Sequence, residues 1–143
     1  MLHPEVFTIT SKPIHFVEIP FIEDLTQIHQ YNQTLTVTLH DYPMDPGRKP
    51  VPGTLAFRTA GANIIDFVGV QAFPVWIIEQ RKIYADGDRI VVRMNDGRIF
   101  AGISRLLTPQ TLILRDCRGI NREVIEFSNV GFMGRLVCGM NAG

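Results

Sequence analysis

Cysteine is scarce in this chain: Cys117 and Cys138 are the only two. That is too few for a disulfide framework, and they lack the CxxC or Cys/His spacing that holds zinc. They read as free, half-buried thiols. Histidine is confined to His3, His15, His29 and His40, without an HExxH-type spacing, so neither a metal nor a cofactor is expected. No apolar run approaches the ~20 residues of a membrane-spanning helix. The opening MLHPEVFTITSK has neither the basic nor the long apolar region of a signal peptide. A cytoplasmic protein with no membrane partner is expected. Net charge is missing as well, 14 Lys and Arg balancing 14 Asp and Glu. With 45% hydrophobic and 20% charged residues the chain is too apolar for disorder, and its 143 residues fit one domain with a substantial core.

The charge is unevenly spread. Residues 1–80 carry four Lys/Arg against eight Asp/Glu, whereas residues 81–143 carry ten against six, so the halves stand at about −4 and +4. A basic half can mark a nucleic-acid surface. Here, however, the arginines alternate with apolar residues, as in Arg89-Ile-Val-Val-Arg93, which is the pattern of a solvated sheet face. Direct nucleic-acid binding is therefore expected to be weak or absent.

Period-2 patterns and β-branched runs dominate the chain. They predict strands at Val6–Thr10, Ile14–Ile19, Thr34–Leu39, Thr54–Arg58, Val75–Glu79, Arg89–Met94, Arg98–Ile103, Thr111–Arg115, Glu123–Phe127 and Phe132–Cys138. One short helix is predicted over Phe21–Gln30, where Ile22, Leu25 and Ile28 recur at a spacing of three after Pro20. No helix-turn-helix pattern is visible. Residues 43–52, PMDPGRKPVP, hold four prolines and read as an extended loop or arm, since proline removes a ladder donor and fixes φ. The strongest local signal is Asn95-Asp96-Gly97, residue types that tolerate the positive φ of a tight hairpin turn.

From FRTAGANIIDF at Phe57 to FMGRLVCGM ending at Met140, the chain resembles the C-terminal domain of LexA, UmuD and related phage repressors. In that family a segment of the form F-R-V-x-G-x-S-M carries a serine nucleophile. A strand like VWIIE follows, then a Gly-Asp turn, a hairpin ending in V-K-R-L with a lysine base, and a closing strand like GRLV. The resemblance implies a mainly β fold, a β-clip or partly open barrel with an N-terminal β-rich extension and at most one short helix. Residues 1–53 would form the extension or arm, with its Pro-rich loop at 43–52, and residues 54–143 the β domain. IPFIEDLTQ is faintly similar to the N-terminal arm of UmuD, which implies a protein partner reached through that arm.

Where the family keeps its chemistry this chain departs. Asn63 stands at the nucleophile position and Ser104 at the base position. Serine–lysine catalysis needs a hydroxyl to attack the carbonyl and a neutral amine to take its proton; neither residue supplies its part. A slip in alignment does not restore the pair, because residues 57–80 contain no serine and residues 99–114 no lysine. Family members cut themselves at an Ala-Gly or Cys-Gly bond upstream of the nucleophile, and residues 1–59 contain neither dipeptide.

The expectation is thus a degenerate, non-catalytic regulatory or oligomerisation domain, with no enzyme activity. It would form a homodimer or higher homo-oligomer through an exposed terminal strand bearing Phe132, Met133, Leu136 and Val137. Two other readings remain at the level of sequence. RIVVRMNDGRIFAGI and TLILRDC are similar in pattern to the first motif of Sm-like RNA-binding β-barrels. The closing arginine and glycine of that family, however, stand in reverse order here, as Gly134-Arg135. The other is a phage or plasmid structural assembly protein with a long arm.

Overall fold

The computed structural model describes residues 16–22, 33–38, 53–59, 62–80 and 86–140. They form ten strands: β1 (Phe16–Ile22), β2 (Gln33–Thr38), β3 (Thr54–Arg58), β4 (Ile64–Asp66), β5 (Val75–Glu79), β6 (Arg89–Met94), β7 (Ile99–Thr108), β8 (Thr111–Arg115), β9 (Asn121–Glu126) and β10 (Val130–Met140). The fold is mainly β. The strands lie in the order β2-β1-β3-β5-β10-β6-β7-β8-β9, with β4 added alongside β7, and β2 and β9 remain at opposite ends of an unclosed sheet.

Local chemistry accounts for the turns that set the register. Between β6 and β7, Gly97 takes φ 92°, which costs glycine little. Its N–H donates to the Met94 carbonyl at 3.0 Å, while Asp96 Oδ1 accepts the Arg98 N–H at 3.0 Å. Between β8 and β9, Asp116 Oδ1 accepts the N–H groups of Arg118 at 2.9 Å and Ile120 at 3.1 Å. A short aspartate side chain fixes each turn because it reaches backbone donors two to four residues on.

Alternation then sorts side chains into three cores. Val75 and Ile77 of β5 face one cluster with Ile19, Phe21, Ala56 and Met140, while Trp76 and Ile78 face another with Leu55, Phe57, Val91, Phe132 and Leu136. A third cluster lies on the opposite side of β6 and β7, from Ile90, Val92, Phe100, Leu112, Leu114 and Ile125. Burying each such side chain contributes about 1.5–3 kcal/mol. Gly102 has a structural reason as well, because a Cβ there would come within 2.9 Å of Leu114 Cβ across the β7–β8 pair.

β10 joins the two halves. Its first part pairs with β6 and its second with β5, and Arg135 sits at the changeover, opposite both Ile90 and Glu79. Register shifts between Val130 and Phe132, and between Leu136 and Cys138, bend the strand on either side of that point, as an extra residue does. Arg135 donates to the buried Glu79 carboxylate at 3.0 Å. Removing one partner of such a pair leaves a buried charge uncompensated and costs about 3–5 kcal/mol.

Two expectations require correction. Phe21 and Ile22 do not begin a helix; they close β1, pair parallel with Ala56 and Phe57, and are buried. Their β-branched and aromatic side chains gain more from the sheet core than a weak three-residue periodicity offers a helix. The remainder of the predicted helix at 23–30, the strand at Val6–Thr10 and the Pro-rich loop at 43–52 lie outside the described residues. Second, β10 is not an exposed terminal edge. It is an interior strand between β5 and β6, so the apolar side chains on both of its faces find protein partners.

Candidate functional site

The segment that resembles the nucleophile loop leads into β4. Asn63 is exposed and immediately precedes Ile64, whose partner in the parallel β4–β7 pair is Ile99. After β4 the chain is held by Asp66: Oδ1 accepts the N–H groups of Val68 and Val70 at 3.0 Å each, and Oδ2 that of Gln71 at 3.1 Å. A 3-10 turn at Val70–Ala72 follows. Trp76 closes over it, donating its indole N–H to the Val70 carbonyl and meeting Phe73 edge-on. Thr59, fully buried, donates its hydroxyl to the Phe73 carbonyl. Neither β4 nor this turn stands out in the sequence.

Ser104 lies farther along β7. It is 4% exposed, its Cα partner on β8 is Leu114, and its backbone exchanges hydrogen bonds with the β6 approach: the Gly87 N–H reaches its carbonyl and its own N–H reaches Asp88, each at 2.8 Å. Because β4 and β7 run parallel, Asn63 and Ser104 sit toward opposite ends of their contact. Ser104 is five residues beyond Ile99, about 16 Å along the strand at the usual rise of about 3.3 Å per residue. The structure does not bring the two dyad positions together.

The four proposed interface residues belong to the cores. Phe132 and Leu136 are 5% and 7% exposed and join the cluster around Phe57 and Trp76. Met133 packs against the cluster around Phe100, and Val137 against that around Ile77. Phe132 and Met133 pair with β6 and Leu136 with β5, while Val137 falls in the register shift.

Other chemistry is sparse. Among the described residues no group of three His, Cys, Asp or Glu side chains is placed to hold a metal ion, and no helix is long and apolar enough to cross a membrane. The histidines lie outside the described residues. Cys117 is exposed and Cys138 half-buried. A cavity of about 280 Å³ beside the β6–β7 turn is lined by Met94, Asn95, Asp96, Arg98 and Asn129, but Arg98 is already paired to Asp96 at 2.8 Å.

The feature that sequence reading placed least well is the sheet end formed by β7, β8 and β9. Two cross-strand rows share one face there, Arg89–Ile103–Arg115–Asn121 and Arg105–Ile113–Val124. Arg115 donates from Nε to Asn121 Oδ1 at 3.0 Å, and Val124 is 56% exposed. The arginines are interleaved with aliphatic side chains rather than the aromatic platforms on which single-stranded nucleic acid stacks. At the β8–β9 turn, burial opposes ionisation of Asp116. The Ile120 and Arg118 N–H bonds and the Arg118 and Arg122 charges outweigh it and hold that carboxyl below the usual carboxylate value. No protein-family model, curated protein or solved structure matches the chain.

Proposed function

We propose that the chain is a non-catalytic regulatory and oligomerisation module, related in pattern to the self-cleaving LexA-like domains but without their Ser-Lys chemistry. The single observation behind the non-catalytic part of this reading is the placement of the two dyad positions. Asn63 is exposed before β4, while Ser104 is buried within β7 and farther along it. A nucleophile and its base must meet within hydrogen-bond reach, about 2.6–3.2 Å, and these two positions are separated by several strand residues. The segments that carry the resemblance are a β4 segment tied down by Asp66 and a β6–β7 hairpin set by Asn95-Asp96-Gly97. Incubation at alkaline pH, which speeds self-cleavage where a lysine base must lose its proton, leaves the intact mass unchanged. Discrete fragments that disappear in Asn63→Ala would overturn the reading.

A further inference from the structure

The sheet has one polar edge strand whose side chains are described, and its backbone donors are aimed outward. The register of β9 on β8 pairs Glu126 with Thr111 and Val124 with Ile113, and the Phe127 N–H donates to the Gln110 carbonyl at 2.9 Å. A bond from the residue after Glu126 to the residue before Thr111 marks Glu126–Thr111 as a pair that exchanges no bonds of its own. By alternation Ile125 bonds to Leu112, and Val124 and Glu126 turn their N–H and C=O groups to the open side. Among the described residues nothing pairs with them.

The edge also carries an exposed apolar side chain, Val124, which is 56% exposed. Among the described residues it is the most exposed large hydrophobic side chain. An open ladder that carries such a side chain is an arrangement that proteins usually cover.

We propose that a second copy of this chain covers it, β9 pairing antiparallel with β9 about a two-fold axis through Val124. This rests on the oligomerisation reading above and assigns its surface. In that register the two Val124 residues exchange a pair of backbone bonds, and their exposed side chains meet on one face, flanked by Ile113 from each copy. The apolar row Ile113–Val124 becomes continuous across the axis.

The charges favour this occupant over an arbitrary strand. β9 carries a register shift opposite Leu114 and Arg115, which leaves Arg122 as its extra residue. Two residues from the axis, Glu126 of one copy therefore faces the Asn121–Arg122 bulge of the other. Arg115 already reaches that spot, bonded to Asn121 on the face that carries Val124 and Glu126. Glu126 is exposed, and the two-fold supplies the Arg115–Glu126 approach twice. A self-complementary patch is what a two-fold interface requires.

Sedimentation equilibrium of the full chain across the micromolar range tests the assignment. The unaltered chain shifts from monomer to dimer mass with concentration. Val124→Lys sets two ammonium groups on the axis and weakens association at least tenfold, while the melting temperature measured in the dilute, monomeric range is unchanged because the side chain is exposed in the monomer. Arg115→Glu and Glu126→Arg are each monomeric alone, since each sets like charges face to face, but mixed in equal amounts they recover the dimer mass. A chain that stays monomeric at every concentration overturns the proposal. So does a dimer that survives Val124→Lys, or a mixture of the two charge variants that stays monomeric. A dimer insensitive to all three changes places the interface elsewhere and leaves the oligomerisation reading standing, whereas alkaline self-cleavage overturns the non-catalytic reading alone.

Discussion

Leu136→Ala separates a core role for β10 from an interface role. Leu136 is 7% exposed, lies opposite Ile78 on β5, and shares its cluster with Leu55, Phe57, Val91 and Phe132. Truncation removes the buried branched end of the side chain and leaves a cavity that the surrounding strands fill only in part, and such changes cost about 2–5 kcal/mol. Neighbours on several strands limit collapse around the site, so we take about 3 kcal/mol as the expected loss. For a chain of this size each kcal/mol moves the melting temperature by about 2–4 °C, giving a fall of about 6–12 °C. Urea unfolding checks the value: the midpoint drops while the slope is unchanged, because the same surface is exposed on unfolding. At concentrations where the protein is monomeric, Val124→Ala, at an exposed position on β9, stays within about 0.5 kcal/mol of the unaltered protein. A loss below about 1 kcal/mol for Leu136→Ala, accompanied by a change of oligomeric mass, would refute the core assignment and return β10 to the surface.

Two further outcomes follow from the sheet end. Asp116 has a lowered carboxyl pKa, so its contribution to stability is present above the unfolded carboxyl value of about 3.9 and is lost as pH falls through the lower folded value. Asp116→Asn therefore lowers the melting temperature at neutral pH, and the gap to the unaltered protein closes as the solution is acidified below that range; a gap independent of pH would refute this account. Single-stranded RNA titrated onto the Arg89–Arg105–Arg115 face binds weakly and is lost on adding salt, as counterion release requires. Tight, uridine-preferring binding at physiological salt, with a ring-shaped oligomer, would support the Sm-like alternative instead.

Much of the strand pattern is legible in the sequence. Thr54–Arg58, Val75–Glu79, Arg89–Met94 and Thr111–Arg115 are strands with the predicted limits, since each is an apolar or β-branched run flanked by residues that end a ladder. The Asn95-Asp96-Gly97 turn is legible for the same local reason. β4 is not, because three residues are too few to display a period, and it forms only through its parallel contact with β7. The separation of Asn63 from Ser104 is equally hidden, since matching motif order says nothing about how far two loops are offset along neighbouring strands.

Strand position is a tertiary property, but the sequence does carry a trace of it. GFMGRLVCGM places apolar side chains on both faces, with Phe132 and Leu136 on one and Met133 and Val137 on the other, and each finds a core cluster. A strand that is apolar on both sides reads as interior. NREVIE buries one large side chain, Ile125, and sets charged groups around the exposed Val124, which is how an edge is written. Setting β10 between β5 and β6 gives its first half one ladder, its second half the other, and Arg135 both. The same sheet order leaves β9 at one end of the sheet. There the donors of Val124 and Glu126 point outward, and the acidic residue and the arginine that would meet across a two-fold axis lie on one face. An interior closing strand and an outward-facing β9 are therefore two consequences of the same sheet order.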